Sequence, residues 1–190
     1  CLSGGAMTVA KNVVDITGLD VESGAPCKVN GTGIFDRWVL TVSHVVSRVE
    51  DVVITLEGRD YQPSKVIYDG EICALYVPGI PQFKDLRRFT RNIRQHTTGV
   101  LPSHTPSGPA FILVSNIRLR NSPWPSLTGK RDVYYYTGAT FPGLCGAPLI
   151  LQNPGGPSLV ALHQSGVAGT SGYAIPVADL LAQLTVPETQ

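Results

Sequence analysis

The sequence predicts an all-β protein made of short antiparallel strands in closed or two-layered sheets, and three observations carry that prediction. Only 15% of the 190 residues are charged against 43% hydrophobic, which leaves little material for long solvated helices. Glycine (20) and proline (15) are frequent enough to punctuate the chain with turns. Apolar or β-branched runs recur at intervals of about ten residues, the rhythm of sandwiches and barrels.

Taken in order, residues 6–15 (AMTVAKNVVD) set Met7, Val9, Ala10, Val13 and Val14 at helical spacing and read as one short amphipathic helix, a lid rather than core. Five strand candidates follow up to about residue 80: CKVNGTGIFD, RWVLTVSHVV, DVVITLEGRD, YQPSKVIYDG and EICALYVPG. Asn30-Gly31, Asp36-Arg37, Glu57-Gly58 and Asp69-Gly70 read as the turns between them. Residues 81–98 (PQFKDLRRFTRNIRQHTT) break the rhythm as a basic helical turn and loop, the expected interdomain linker. A second set of strands, AFILVSNIRLR, KRDVYYYTGA, APLILQ, SLVALHQS and GYAIPV, ends in a terminal helix at VADLLAQL. The expected units are therefore 1–80, the linker 81–98, and 99–190.

Several function classes are disfavoured at once. A net charge of +1 gives no bulk field for nucleic acid, so any basic surface is local. Cys1, Cys27, Cys73 and Cys145 contain no C-x-x-C pair, which argues for a reducing compartment and against both a disulfide framework and a structural zinc. No metal and no cofactor are expected. No apolar run is long enough to span a bilayer, and the first residues do not resemble a secretory signal. A start at Cys1 rather than Met reads as an engineered chain or release from a longer precursor.

The chemistry concentrates in Thr140-Phe141-Pro142-Gly143-Leu144-Cys145-Gly146-Ala147-Pro148, a thiol flanked by glycines in a turn. Such a turn can gather the N–H groups of Gly143, Leu144 and Cys145 into an oxyanion site. The plainer reading is a buried, inert cysteine. His44, at the end of the apolar strand in Thr41-Val42-Ser43-His44-Val45-Val46, offers a base for the thiol proton, although a lone strand histidine is more often structural. Glu71 is the candidate to hold the ring: period-two alternation sets it on one face with Cys73 and Leu75, where burial demands a partner. Asp69 competes for that role but precedes a glycine and reads as a turn residue.

The order His44, Glu71, Cys145 resembles the picornavirus 3C-type cysteine proteases, with the kobuvirus branch within them. Gly143 to Gly146 match the family's G-x-C-G motif, Phe83-Lys84-Asp85-Leu86 follows Glu71 at the family's separation, and Ala10-Lys11-Asn12 matches its amino-terminal helix. The resemblance covers nearly the whole chain. It implies a chymotrypsin-like fold of two antiparallel six-stranded β-barrels with short terminal helices, His44 and Glu71 coming from the first and Cys145 from the second. It implies an endopeptidase that cuts a viral polyprotein after glutamine through an acyl-thioenzyme, in the cytoplasm of an infected host cell.

The family also implies a glutamine pocket, with His163 and Thr140 in the places of its two donors and Tyr136 fixing the tautomer of His163. Against this stands a satisfied core histidine at the end of SLVALH. Gln164, Ser165 and Gly166 would pair with an extended substrate through their backbone. Gln190 is the residue that such an enzyme would leave at its own carboxyl end. Lys84, Asp85, Arg87 and Arg88 stand where the family binds viral RNA, the bland alternative being a solvated surface. Thr128-Gly129-Lys130 lies in a different loop from the Thr-Gly-Lys that some relatives carry, where Gln152 to Gly156 stand here. His96 and His104 read as exposed, Cys27 and Cys73 as buried and inert, and Trp124 as part of a flap over the cleft. The rival functions are an RNA-binding module with secondary proteolysis, and a structural β protein.

Overall fold

The computed structural model describes residues 4–90, 95–105, 107–121, 132–153 and 156–184. Trp124, Thr128 to Lys130 and Gln190 fall outside the described residues. Helix α1 (Gly4–Lys11) leads into β1 (Val13–Asp20), β2 (Pro26–Phe35), β3 (Trp38–Val42), the one-turn helix α2 (Ser43–Val46), β4 (Val49–Leu56), β5 (Arg59–Tyr61), β6 (Lys65–Asp69) and β7 (Ile72–Tyr76). After a 3-10 turn at Arg87–Phe89 come β8 (Gln95–Thr105), β9 (Gly108–Asn121), β10 (Asp132–Gly138), β11 (Pro148–Asn153), β12 (Gly156–Ser165), β13 (Ser171–Pro176) and α3 (Ala178–Leu181).

β1 to β7 form one seven-stranded sheet in the order β5-β4-β1-β2-β3-β7-β6, and β8 to β13 form a closed barrel in the order β10-β13-β12-β11-β8-β9. The all-β, two-barrel architecture is thus as expected, but the first sheet carries seven strands rather than six and its two end strands do not pair. The end strands are the three-residue β5 and the five-residue β6. One apolar cluster joins the sheets, with Val9, Ile34, Trp38 and Ile72 on one side and Val100, Ile150 and Leu162 on the other.

Four local expectations change. The helix stops at Lys11, because Val13, Val14 and Ile16 are a β-branched run that pairs with β2. It is also no lid: Val9 is fully buried in the cluster between the sheets. Asn30 and Gly31 are not a turn but lie inside β2, both buried. The end of the expected linker and the residues after it are β8, paired with β9 from Gln95↔Arg118 to Thr105↔Gly108. Pro102 is tolerated there because β11 pairs with β8 only at Gly99 and Val100.

Candidate active site

The first sheet supplies a base and an acid from two neighbouring strand ends. His44 lies in α2, just past β3, rather than within the strand. Glu71 likewise lies outside the strand: Asp69 closes β6 against Ile72 of β7, and Gly70 and Glu71 form the two-residue turn between them, with Gly70 at φ +62°. The expected places of Asp69 and Glu71, turn and strand, are therefore exchanged, since glycine in the first turn position moves the turn one residue onward. The Ser43 N–H donates to the Glu71 carbonyl at 2.9 Å, which ties the base-bearing helix to the acid-bearing turn.

The second barrel supplies the thiol from the turn before β11. Gly143 (φ +94°) and Gly146 (φ +86°) adopt the left-handed conformation that favours glycine. At Gly146 a Cβ would also collide with the carbonyl oxygen of Asn30 on β2. Asn30 seats this turn: its N–H donates to the Cys145 carbonyl (2.8 Å) and its side-chain amide to the Gly143 carbonyl (2.9 Å) and Ser103 hydroxyl (3.1 Å), while its Oδ1 accepts from the His104 N–H (3.0 Å). Every polar atom of this buried side chain is satisfied across the inter-sheet boundary. One expected oxyanion donor drops out, because the Leu144 N–H already donates to the Phe141 carbonyl at 3.2 Å. The N–H groups of Gly143 and Cys145 carry no such bond among the described residues.

His44, Cys145 and His163 line one cavity of about 220 Å³, with Thr140, Phe141, Pro142, Gln164, Ser165, Gly166 and Ala168. Gln164, expected to lend only its backbone, reaches all three members of the proposed constellation. Its carbonyl accepts from the Cys145 Sγ–H (3.2 Å), and its side-chain Nε2 donates to Glu71 Oε2 (3.2 Å) and lies 3.4 Å from His44 Nδ1. Burial pushes the His44 pKa below its ordinary 6.5, the charge of Arg48 pushes the same way, and Glu71 opposes them. Burial raises the Cys145 thiol above its ordinary value, its own backbone N–H partly opposing. Both shifts favour a neutral thiol beside a neutral imidazole.

His163, on β12, is 3% exposed, and its Nδ1 meets the hydroxyl of the fully buried Tyr136. With the phenol donating, the ring's own proton sits on Nε2. Burial lowers the His163 pKa to about 4, so the ring stays neutral over the physiological range. A Cβ at Gly172 would stand 2.6 Å from the Tyr136 ring and 2.7 Å from His163, so glycine is what lets the two rings meet. Thr140 differs from expectation. It is buried and its hydroxyl donates to the Ser171 (2.8 Å) and Val167 (3.2 Å) carbonyls, which commits its single proton to the pocket wall.

In the basic segment Lys84, Asp85, Arg87 and Arg88 are exposed. Arg87 grips the Asp85 carboxylate with its guanidinium, Nε to Oδ1 (3.0 Å) and Nη2 to Oδ2 (2.7 Å), and with its backbone N–H (2.9 Å), and the guanidinium lies 3.9 Å over the Phe35 ring. That pair holds the Asp85 carboxyl below its usual range. His104 is half-buried rather than exposed, with Nδ1 3.1 Å from Asp15. Cys27 is half-buried and Cys73 fully buried, the latter pushed up to about 12 by burial. Among the described residues no three His, Cys, Asp or Glu gather as a metal set, and no helix is long and apolar enough to cross a membrane. Asn30 and the side chain of Gln164 escaped sequence reasoning: the first mimicked a turn signal, and no spacing rule marks the second.

No family model matches the chain. Its fold is that of the chymotrypsin-like proteases: it superposes on the Rv3671c protease of M. tuberculosis in its active form with a TM-score of 0.79 over 98% of this chain and 86% of that one, at 20% identity. The MamO protease domain of Magnetospirillum magneticum gives 0.72 over 95% and 100% at 17% identity, and the HRV-C 3C protein with rupintrivir 0.66 over 88% and 93% at 21%. In sequence the chain is 32% identical over 142 residues (73% of its length) to the genome polyprotein of Salivirus A, and 32% over 123 residues (64%) to that of Human klassevirus 1. It spans 6% and 5% of those polyproteins. Its sequence relatives are thus picornavirus genome polyproteins, and its fold is one that the HRV-C 3C protein shares.

Proposed function

We propose that the chain is a cysteine endopeptidase that cleaves a viral polyprotein after glutamine in the cytoplasm of the infected cell. The observation that carries this reading is one cavity shared by Cys145, His44 and a histidine, His163, held neutral by burial. Cys145 loses its proton to the neutral imidazole of His44 as Sγ attacks the scissile carbonyl, and the resulting oxyanion takes hydrogen bonds from the Gly143 and Cys145 N–H groups. The imidazolium then protonates the departing amine, leaving a thioester that water hydrolyses with His44 again as base. His163 Nε2–H donates to the side-chain carbonyl of the substrate glutamine, and a glutamate there would bring an unmatched charge.

The test is cleavage of matched peptides carrying Gln, Glu or Ala before the scissile bond, by wild type and Cys145→Ala. Cleavage confined to the Gln peptide and abolished in the variant is expected; retained activity in Cys145→Ala removes the nucleophile assignment. A second role in binding RNA is supported by the exposed Lys84, Arg87 and Arg88, although Asp85 matches the charge of Arg87. Lys84→Ala should therefore weaken RNA binding more than Arg87→Ala, with peptide cleavage unchanged in both.

A further inference from the structure

Gln164 does something that its expected backbone role does not require. It is 6% exposed and sits near the end of β12, directly after His163, and its side chain reaches toward the first sheet. There Nε2 donates to Glu71 Oε2 at 3.2 Å and passes His44 Nδ1 at 3.4 Å, longer than an ordinary N–H···O bond. Its Oε1 is buried and has no hydrogen bond among the described residues. Leaving a buried amide oxygen unmatched is costly, so the donor end decides where this side chain lies. Exchanging the amide's oxygen and nitrogen would set Oε1 against a carboxylate, which charge forbids. No hydrogen bond joins Glu71 to His44 directly among the described residues, so the contact that orients the carboxylate is the one from Gln164.

We propose that Gln164 is a positioning residue of this site, its side-chain amide fixing the Glu71 carboxylate beside His44 Nδ1 so that the carboxylate's charge acts on the imidazole. The same residue's main-chain carbonyl receives the Cys145 thiol, so one position on the closed barrel aligns groups from both sheets. The charged or titratable groups around the amide are Glu71 from the β6–β7 turn, His44 from α2 and Cys145 from its turn. Arg48, just past α2, acts on the same imidazole.

This inference rests on the protease reading, and its test compares kcat and KM on a Gln-containing peptide from about pH 5 to 9. The variants are Gln164→Met, Gln164→Glu, Glu71→Gln and the Glu71→Gln/Gln164→Met double. Gln164→Met should lower kcat about tenfold or more with KM within about twofold, and should cost far less in the Glu71→Gln background, because the two residues act as one unit. Gln164→Glu, nearly isosteric, sets two carboxylates face to face. Its activity relative to wild type should be lowest at neutral pH and recover as the pH falls and one carboxylate takes a proton. Additive costs, an unchanged kcat, or a Gln164→Glu profile parallel to wild type overturns the proposal. If the Met variant fails to fold by thermal melting, the Glu profile decides. A wild-type chain inert on every Gln peptide sinks the protease reading and this inference with it, whereas an active chain indifferent to Gln164 sinks this inference alone.

Discussion

His163 stands within a strand of the closed barrel, whereas His44 stands in a four-residue helix beyond a strand end of the open sheet. The first ring is fixed by its own barrel: Tyr136 holds Nδ1 and Gly172 leaves just enough room. The second ring has no such partner in its own sheet among the described residues: the Ser43 N–H to Glu71 carbonyl bond ties its helix to the next hairpin, and Gln164 of the opposite sheet lies 3.4 Å from its Nδ1. The proposed recognition group is thus built into a core that cannot readily shift. The proposed proton transfer is placed at a seam, where small rearrangements can bring thiol and imidazole together when substrate arrives.

That contrast can be broken at several points. The largest effect is expected from His44→Ala, a fall in kcat of about a thousandfold or more measured on a Gln peptide, with the melting curve nearly unchanged because the side chain is not a core member. Next comes Tyr136→Phe, which frees His163 Nδ1 and lets the ring choose its tautomer. The ratio of kcat/KM for Gln over Glu peptides should drop about tenfold to a hundredfold, and an unchanged ratio would show that the phenol does not set the ring. Gly172→Ala pushes a methyl into both rings and should cost about 1–3 kcal/mol of stability by denaturant titration, together with lost selectivity.

The finest test is pH. A neutral imidazole is required as base, so kcat/KM should fall as pH drops through the His44 pKa, and that limb should lie below the ordinary 6.5. His163 sharpens the contrast through stability. Its folded pKa of about 4 lies below the unfolded value, so its contribution is complete above pH 6.5 and is lost as pH falls toward 4. The span is of order 3 kcal/mol. A His163→Leu variant should lose that slope.

The architecture was legible because period-two runs and turn pairs survive in a single sequence, and the segment around Cys145 was legible because glycines on either side of a thiol serve few purposes. What failed shares one cause. Asn30-Gly31 has the chemistry of a hairpin turn, but Asn30 is satisfied by Ser103, Gly143 and His104, partners some 73 to 113 residues away that no local window contains. β8 was hidden by Pro102 and by polar residues that look like a loop until their pairing with β9 is known. Leu144 and Thr140 were assigned as donors to substrate from their place in the motif, yet both protons are committed inside the protein. Residue type showed what a group can do; only the neighbours showed whether it is already engaged.

The contact between Asn30 and the Gly143–Gly146 turn carries a consequence for heredity. A strand near the amino terminus and a loop more than a hundred residues later are fitted to each other at the level of single atoms. A crossover between related genomes that falls between their coding stretches would inherit the two halves from different parents. Such offspring should fold each sheet and yet mis-seat the sulfur, so functional recombinants should retain a matched pair at these two places.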